Sequence, residues 1–231
     1  MNDTLSELIS TIEDYHGQFF LISACCNYPA FRDRLIESLQ KESSLRIRTV
    51  ALKPDARNLL DTLSVAVEKD TPDAMTVSGF ESLIRLEDVL IGANLSRDRF
   101  REKFPFPVVL WINDAILQKL SRIATDLANW AGIPLRFEPS DDELLEILAQ
   151  NATALFDKIL KSDTCLLQAE YPLSPRETEF LQFLSADLEN RQIALKPESD
   201  AALQFFQGKQ AHDKGDFDSA IRCYETARAF W

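Results

Sequence analysis

A chain of 231 residues with 45% apolar and 27% charged side chains can bury one sizeable core plus an appendage, which excludes a disordered polymer. Its 25 basic residues stand against 37 acidic ones, and the net charge of −12 repels phosphate backbones and anionic lipid, so general nucleic-acid or membrane binding is not expected. No apolar run reaches the ~20 residues that span a bilayer, and Met1–Thr4 lacks the basic-then-apolar pattern of a secretory leader, so the expected location is the cytoplasm.

Along the chain, Leu5, Leu8, Ile9 and Ile12 mark an amphipathic helix from Asp3 to Tyr15, stopped by Gly17. The run Phe19–Cys26 reads as a strand buried on both faces. It breaks at Asn27-Tyr28-Pro29, and a helix begins at Pro29 with the stripe Phe31, Leu35, Ile36 and Leu39. Leu45–Leu52 alternates apolar and polar residues, as a strand nearer the sheet edge does. Asn58–Lys69 is helical and Ala74–Ser78 a short strand before Gly79. Phe80–Phe104 reads as two helices broken near Gly92–Ser96, and Pro105–Ile112 is the clearest strand. Asn113 or Asp114 suits the N-cap of a helix over 115–124. A second helix, 125–131, ends at Gly132, Ile133–Phe137 makes a fifth strand, and Asp141–Lys161 is a strongly amphipathic helix. Strands and helical crossovers alternate five times, which predicts a three-layer α/β fold: a parallel sheet of about five strands with helices on both faces.

After Ser162 the pattern becomes helical, with a segment at 174–190 and a linker at 196–200. The last 31 residues resemble a tetratricopeptide repeat, in which Gly208, Gly215-Asp216-Phe217, Ala220, Tyr224 and Ala227 fall at that family's spacing. Small residues at 208, 220 and 227 would let two helices approach, with Phe217 and Tyr224 filling the gap; Gln204 and Gln207 stand where the motif has an aromatic residue and a leucine. One repeat cannot bury its own apolar face, so the expectation is a fragment of a longer protein whose repeats continue beyond Phe230-Trp231. The expected domains are 1–162, a helical connector at 163–200, and the repeat at 201–231.

The first strand–turn–helix is where a nucleotide-binding α/β domain places a glycine-rich loop around phosphates. Here the turn Asn27-Tyr28-Pro29 holds no Gly, Lys, Ser or Thr, and six glycines in all are few for a fold that wraps ligands with backbone. No GxxxxGK[ST] loop is present, and only Glu81 follows the third strand as a possible magnesium partner, where a first-turn helix residue is the simpler reading. No cofactor site is therefore expected. Cys26 and Arg32 have the C-x5-R spacing of a thiolate phosphatase between a strand and a helix. Against that reading, Pro29 removes a backbone donor and Tyr28 and Phe31 crowd the loop, so a buried cysteine and a surface arginine are expected instead. Cys25, Cys26, Cys165 and Cys223 show no zinc spacing and read as reduced thiols, with Cys25 and Cys26 on opposite faces of their strand. Arg97, Arg99, Arg101 and Lys103 form the basic cluster; its plain reading is a solvated helix with internal ion pairs, its functional one a docking patch for an acidic partner or a phosphate. His16 and His212 lack an evident companion, and Trp111 and Trp130 read as core.

The stretches Cys26–Ile36 and Phe106–Leu117, with Leu120, Ala124 and Trp130, resemble a bacterial module similar to a P-loop NTPase core of the AAA or STAND kind that has lost its nucleotide motifs. That resemblance spans roughly residues 1–160. It implies a domain placed ahead of a tetratricopeptide array in a signalling protein, and because the nucleotide-binding residues of active relatives have no matching positions, it transfers no site residue. The function expected is a non-catalytic interaction or scaffold module, with a protein or peptide partner on the repeat surface, no nucleic acid and no membrane. The partner-binding candidates are Arg97, Arg99, Arg101, Lys103, Phe230 and Trp231. The alternatives are a STAND-like signalling ATPase with an atypical site, and a phosphatase using Cys26 and Arg32.

Overall fold

The structure, a computed structural model, describes residues 3–161 and 175–229. The chain divides into two compact units, Met1–Glu138 and Pro139–Trp231.

The first unit runs α1 (Asp3–Asp14), β1 (Phe20–Cys25), α2 (Pro29–Glu42), β2 (Ile47–Ala51), α3 (Leu59–Ala66), β3 (Ala74–Ser78), a 3-10 turn at Phe80–Ser82, α4 (Leu86–Leu95), α5 (Arg97–Lys103), β4 (Pro107–Ile112), α6 (Asp114–Ile123), α7 (Thr125–Ala131) and β5 (Leu135–Arg136). All the strand pairings are parallel, in the order β2-β3-β4-β1-β5. From β1 the chain therefore jumps to the far edge, returns through β3 and β4, and passes over β1 to reach β5. Right-handed connections then place α2 on one face of the sheet and α3 to α7 on the other. The core follows this division: Leu21, Met75, Val77, Val108, Leu110 and Ile112 join side chains of α3 to α7, including Leu60, Leu90, Phe100, Ile116 and Leu127. On the opposite face Trp111 is fully buried, and its indole Nε1 donates to Thr76 Oγ1 at 2.6 Å.

Each strand forms where a short apolar run meets a turn signal, and each helix where period-3.6 apolar residues follow a cap. Asn58 Oδ1 accepts from Asp61 N to start α3, and Asn113 Oδ1 accepts from Ile116 N to start α6. Gly79 turns β3 away with φ 90°; an added Cβ would lie 3.0 Å from the Leu52 carbonyl oxygen, so glycine is required there. As expected, β2 takes the sheet edge with a half-exposed face. The fifth strand departs from the expected Ile133–Phe137. Only Leu135 and Arg136 pair with β1, because Pro134 has no N–H to give to a ladder, and Ile133 is left 92% exposed.

The second unit contains α8 (Asp141–Lys161), α9 (Pro175–Asn190), α10 (Pro197–Asp213) and α11 (Phe217–Arg228). Pro197 opens α10 at its first position, where a missing N–H costs nothing. α10 and α11 are joined by a three-residue turn and pack against each other; Asp216 caps α11 by accepting from Ser219 N at 3.1 Å. Gly208 makes this approach possible: an added Cβ would stand 2.9 Å from two ring carbons of Tyr224 and 3.1 Å from Cys223 Cβ. Ala220 and Ala227 are buried, and the Tyr224 ring lies 5.5 Å from that of Phe205. Phe217 does not fill the gap as expected. It is the first residue of α11, set edge-on to His212 and 58% exposed. Gln207, standing at a position where the repeat motif is apolar, instead donates to Ser185 Oγ and Glu189 Oε1 on α9.

Candidate functional site

The winding reverses between β1 and β4, and the carboxyl ends of two such strands are the crevice where open α/β sheets bind ligands. The loops that meet there are Cys26-Asn27-Tyr28, leading into α2, and Asn113-Asp114, leading into α6. Beyond Cys25 the ladder extends one more step, with Cys26 N donating to Ile112 O at 2.9 Å. Asn27 and Asp114 then clasp across it in both directions: Asn27 Nδ2 donates to Asp114 Oδ2 at 2.8 Å, and Asp114 N donates to Asn27 Oδ1 at 3.0 Å. Arg136, from β5 on the other side of β1, donates to Asp114 Oδ1 at 2.7 Å, and the Cys25 thiol points at the same oxygen at 3.4 Å.

The electrostatics follow from these contacts. Burial opposes charge on Asp114, but the hydrogen bonds from Asn27, Arg136 and Cys25 outweigh it and hold the carboxyl below its ordinary range. Burial, then the neighbouring Asp114 carboxylate and its hydrogen bond, push the Cys25 thiol up to about 12. A phosphate entering the crevice would meet a carboxylate in place of backbone donors. The Asp114 N–H is already occupied, Pro29 at the start of α2 has none, and Tyr28 is 2% exposed.

Cys26 and Arg32, the candidates for phosphatase chemistry, are each committed elsewhere. Burial raises the Cys26 thiol to about 11, although hydrogen bonding around Tyr28 and the Arg32 charge act the other way, so at neutral pH it is a thiol and not a nucleophilic thiolate. Arg32 is not the surface residue expected. Its side chain is 11% exposed and its guanidinium binds Glu81 at 2.6 Å and Asp33 at 3.0 Å. Glu81 sits, as expected, in the first turn of a helix, here the short 3-10 helix Phe80–Ser82.

Of the basic cluster, Arg97 donates to Asn94 O and pairs with Asp126 of α7, both at 3.2 Å, so its ion pair runs between helices rather than within one. Arg99, Arg101 and Lys103 are exposed and have no ion pair among the described residues. His16 does have a companion, Asp73 Oδ1 at 3.5 Å; Arg46 binds the other oxygen of that carboxylate, Oδ2, at 3.2 Å. His212 lies 3.6 Å from Asp213. Trp130 is partly buried against the core that Leu127 and Ala131 complete. Phe230, Trp231 and Cys165 lie outside the described residues. Among the described residues there is no group of three or more His, Cys, Asp or Glu that could hold a metal ion, and no helix long and apolar enough to cross a membrane.

Reading the sequence missed the clasp. Asn27 and Asp114 stand 87 residues apart and were legible only as turn and cap residues; what joins them is the adjacency of β1 and β4, which no local pattern states. The signal available was a polar residue two positions beyond the end of each of the strands β1 and β4.

Fold and crevice together define a doubly wound α/β domain whose carboxyl-end crevice is closed by its own side chains. Scans against protein-family models and against curated proteins find no match. Among solved structures the chain is similar to the ORC2 protein of Aeropyrum pernix. The form with ADPNP and ADP is 14% identical with a TM-score of 0.46, over 97% of this chain and 67% of that one. The ADP form is 12% identical with a TM-score of 0.42, over 95% and 67%. At these values the likeness does not define the fold, which rests on the sheet and its order.

Proposed function

We propose that the chain is a non-catalytic partner-binding part of a signalling or regulatory protein, an NTPase-like α/β domain joined to a tetratricopeptide-like hairpin. The observation that carries this reading is the Asn27–Asp114 clasp, which closes the crevice where a phosphate loop would work and puts a carboxylate in it. The order β2-β3-β4-β1-β5 supports an NTPase-like origin, since its reversal lies at that crevice. Gly208 against Tyr224 supports the repeat-like packing of α10 and α11, whose outer face is suited to a peptide or a partner helix. In this reading the α/β domain extends to about residue 162 and the repeat occupies 201–231. Arg99, Arg101 and Lys103 of α5, which have no ion pair among the described residues, add a second binding face.

Calorimetric titration of the whole chain with ATP and magnesium tests the proposal. No saturable heat is expected up to millimolar nucleotide. Micromolar binding would replace the reading with a signalling ATPase that holds nucleotide by an atypical site. Aryl-phosphate hydrolysis that vanished in Cys26→Ser would replace it with a phosphatase.

A further inference from the structure

α4 and α5 present an outer surface that the fold leaves uncovered. Ile91 and Leu95 stand one turn apart on one face of α4 and are 43% and 79% exposed, and Ile84, just ahead of the helix, is 76% exposed. Gly92 sits beside them in the helix interior. Its φ is not positive, and nothing lies within 4 Å of where its Cβ would be, so neither backbone nor packing inside the domain calls for a glycine. Glycine weakens a helix interior, but here it leaves an open notch on the apolar face.

Charge along this surface is asymmetric. At the start of α4 the acids are answered within the domain, Glu87 by Lys119 at 3.3 Å and Asp88 by Arg85. Beyond its end, α5 carries four cations against Asp98 and Glu102, a local balance of +2 (4 − 2) in a chain of net −12. Only Arg97 of the four has an ion-pair partner among the described residues.

We infer that this surface docks an acidic amphipathic helix of a partner protein. Its apolar side lies over Ile91, Gly92 and Leu95, and its carboxylates face Arg99, Arg101 and Lys103. The inference rests on the partner-binding reading above and names the partner's chemistry. A second copy docked by two-fold symmetry presents the same face, with its own surplus of cations in place of carboxylates. A nucleic-acid backbone offers nothing apolar to cover Ile91 and Leu95. Exposed like charges are screened beyond about 10 Å, so the local cations govern a bound helix more than the net charge does.

The test uses the whole chain and labelled helical peptides that share one leucine stripe but carry Glu, Gln or Lys in the positions flanking it, read by fluorescence anisotropy. The Glu peptide is expected to bind best, and to weaken by about tenfold or more in the triple variant R99E/R101E/K103E, in Leu95→Asp and in Gly92→Gln. Cooperative thermal melts of these variants establish that they remain folded. Equal affinity for the three peptides, no binding of the Glu peptide, or a triple variant that binds it as tightly as the parent overturns the proposal. So does concentration-dependent dimerisation in sedimentation that Leu95→Asp abolishes, which would assign the face to self-association. Nucleotide binding in the calorimeter would remove the proposed function yet leave the peptide ranking untouched, so the two failures are distinguishable.

Discussion

At the carboxyl end of β1 the polar groups of three neighbouring strands close on one another. Asn27, Asp114, Arg136 and Cys25 form a single cluster, and Arg32 and Glu81 pair beside the same turn. Along α10 and α11 the reverse holds. Gly208 and the small residues at 220 and 227 keep the helices close, while Phe217 and Ile221 stay exposed, and Gln210 Nε2 and His212 Nδ1 have no hydrogen-bond partner among the described residues. The two regions differ in what a binding function would require of them. A ligand at the crevice has to break existing hydrogen bonds, whereas a ligand on α11 only has to cover apolar surface that water now touches.

Five substitutions can break or sharpen this contrast. The largest effect is expected from Gly208→Val. Its side chain has to displace the Tyr224 ring from 2.9 Å, and overpacking of this kind costs about 1–3 kcal/mol or more. Hydrogen exchange should show the loss in α10 and α11 and leave the first unit protected; uniform loss over both units would show that the hairpin is not a separate element. Next comes Asp114→Ala, which removes the acceptor of Asn27 Nδ2 and of Arg136 and is expected to lower denaturant stability by about 1–3 kcal/mol. In a double-mutant cycle with Asn27→Ala the coupling should reach about 0.5–3 kcal/mol, and additive effects would mean that the clasp holds nothing together.

The same carboxyl supplies a pH prediction. Its folded value lies below the ordinary 3.8, so its stabilising contribution is present above that value and is lost as pH falls through the lower folded one. The stability difference between the parent and Asp114→Asn should therefore be steady near neutrality and shrink in acid; a difference that grows in acid would mean the group is protonated when folded. The smallest effect runs the other way. Gly92→Ala should stabilise the first unit by about 0.4–1 kcal/mol, because the space is open and the backbone helical.

What could be read from the sequence divides along a physical line. The strands Phe20–Cys25 and Pro107–Ile112, the caps Asn58 and Asn113, and the break between α4 and α5 are local patterns, and each lies within a few residues of its expected place. The make-up of the first turn, without Gly, Lys, Ser or Thr, was equally legible. The partners of each site residue were not legible. Arg32 looks like a surface residue until β3 brings Glu81 beside it, and His16 looks isolated until Asp73 arrives from 57 residues away. Strand order is decided by global packing, and no period of 2 or 3.6 records it.

The margins of the sheet carry a consequence for the protein in a crowded solution. One margin is the two-residue β5, preceded by a proline and flanked by the exposed Ile133. At the other, Arg48 of β2 is tied to Ala66 O and Asp70, and Arg46, next to the strand, is tied to Asp73 and Thr71 O. A neighbouring molecule seeking to add a strand finds too short a template on one side and a row of guanidinium groups on the other. The sheet therefore stops at five strands for chemical reasons at both margins, and molecules that meet edge to edge should part again instead of growing into a shared ribbon.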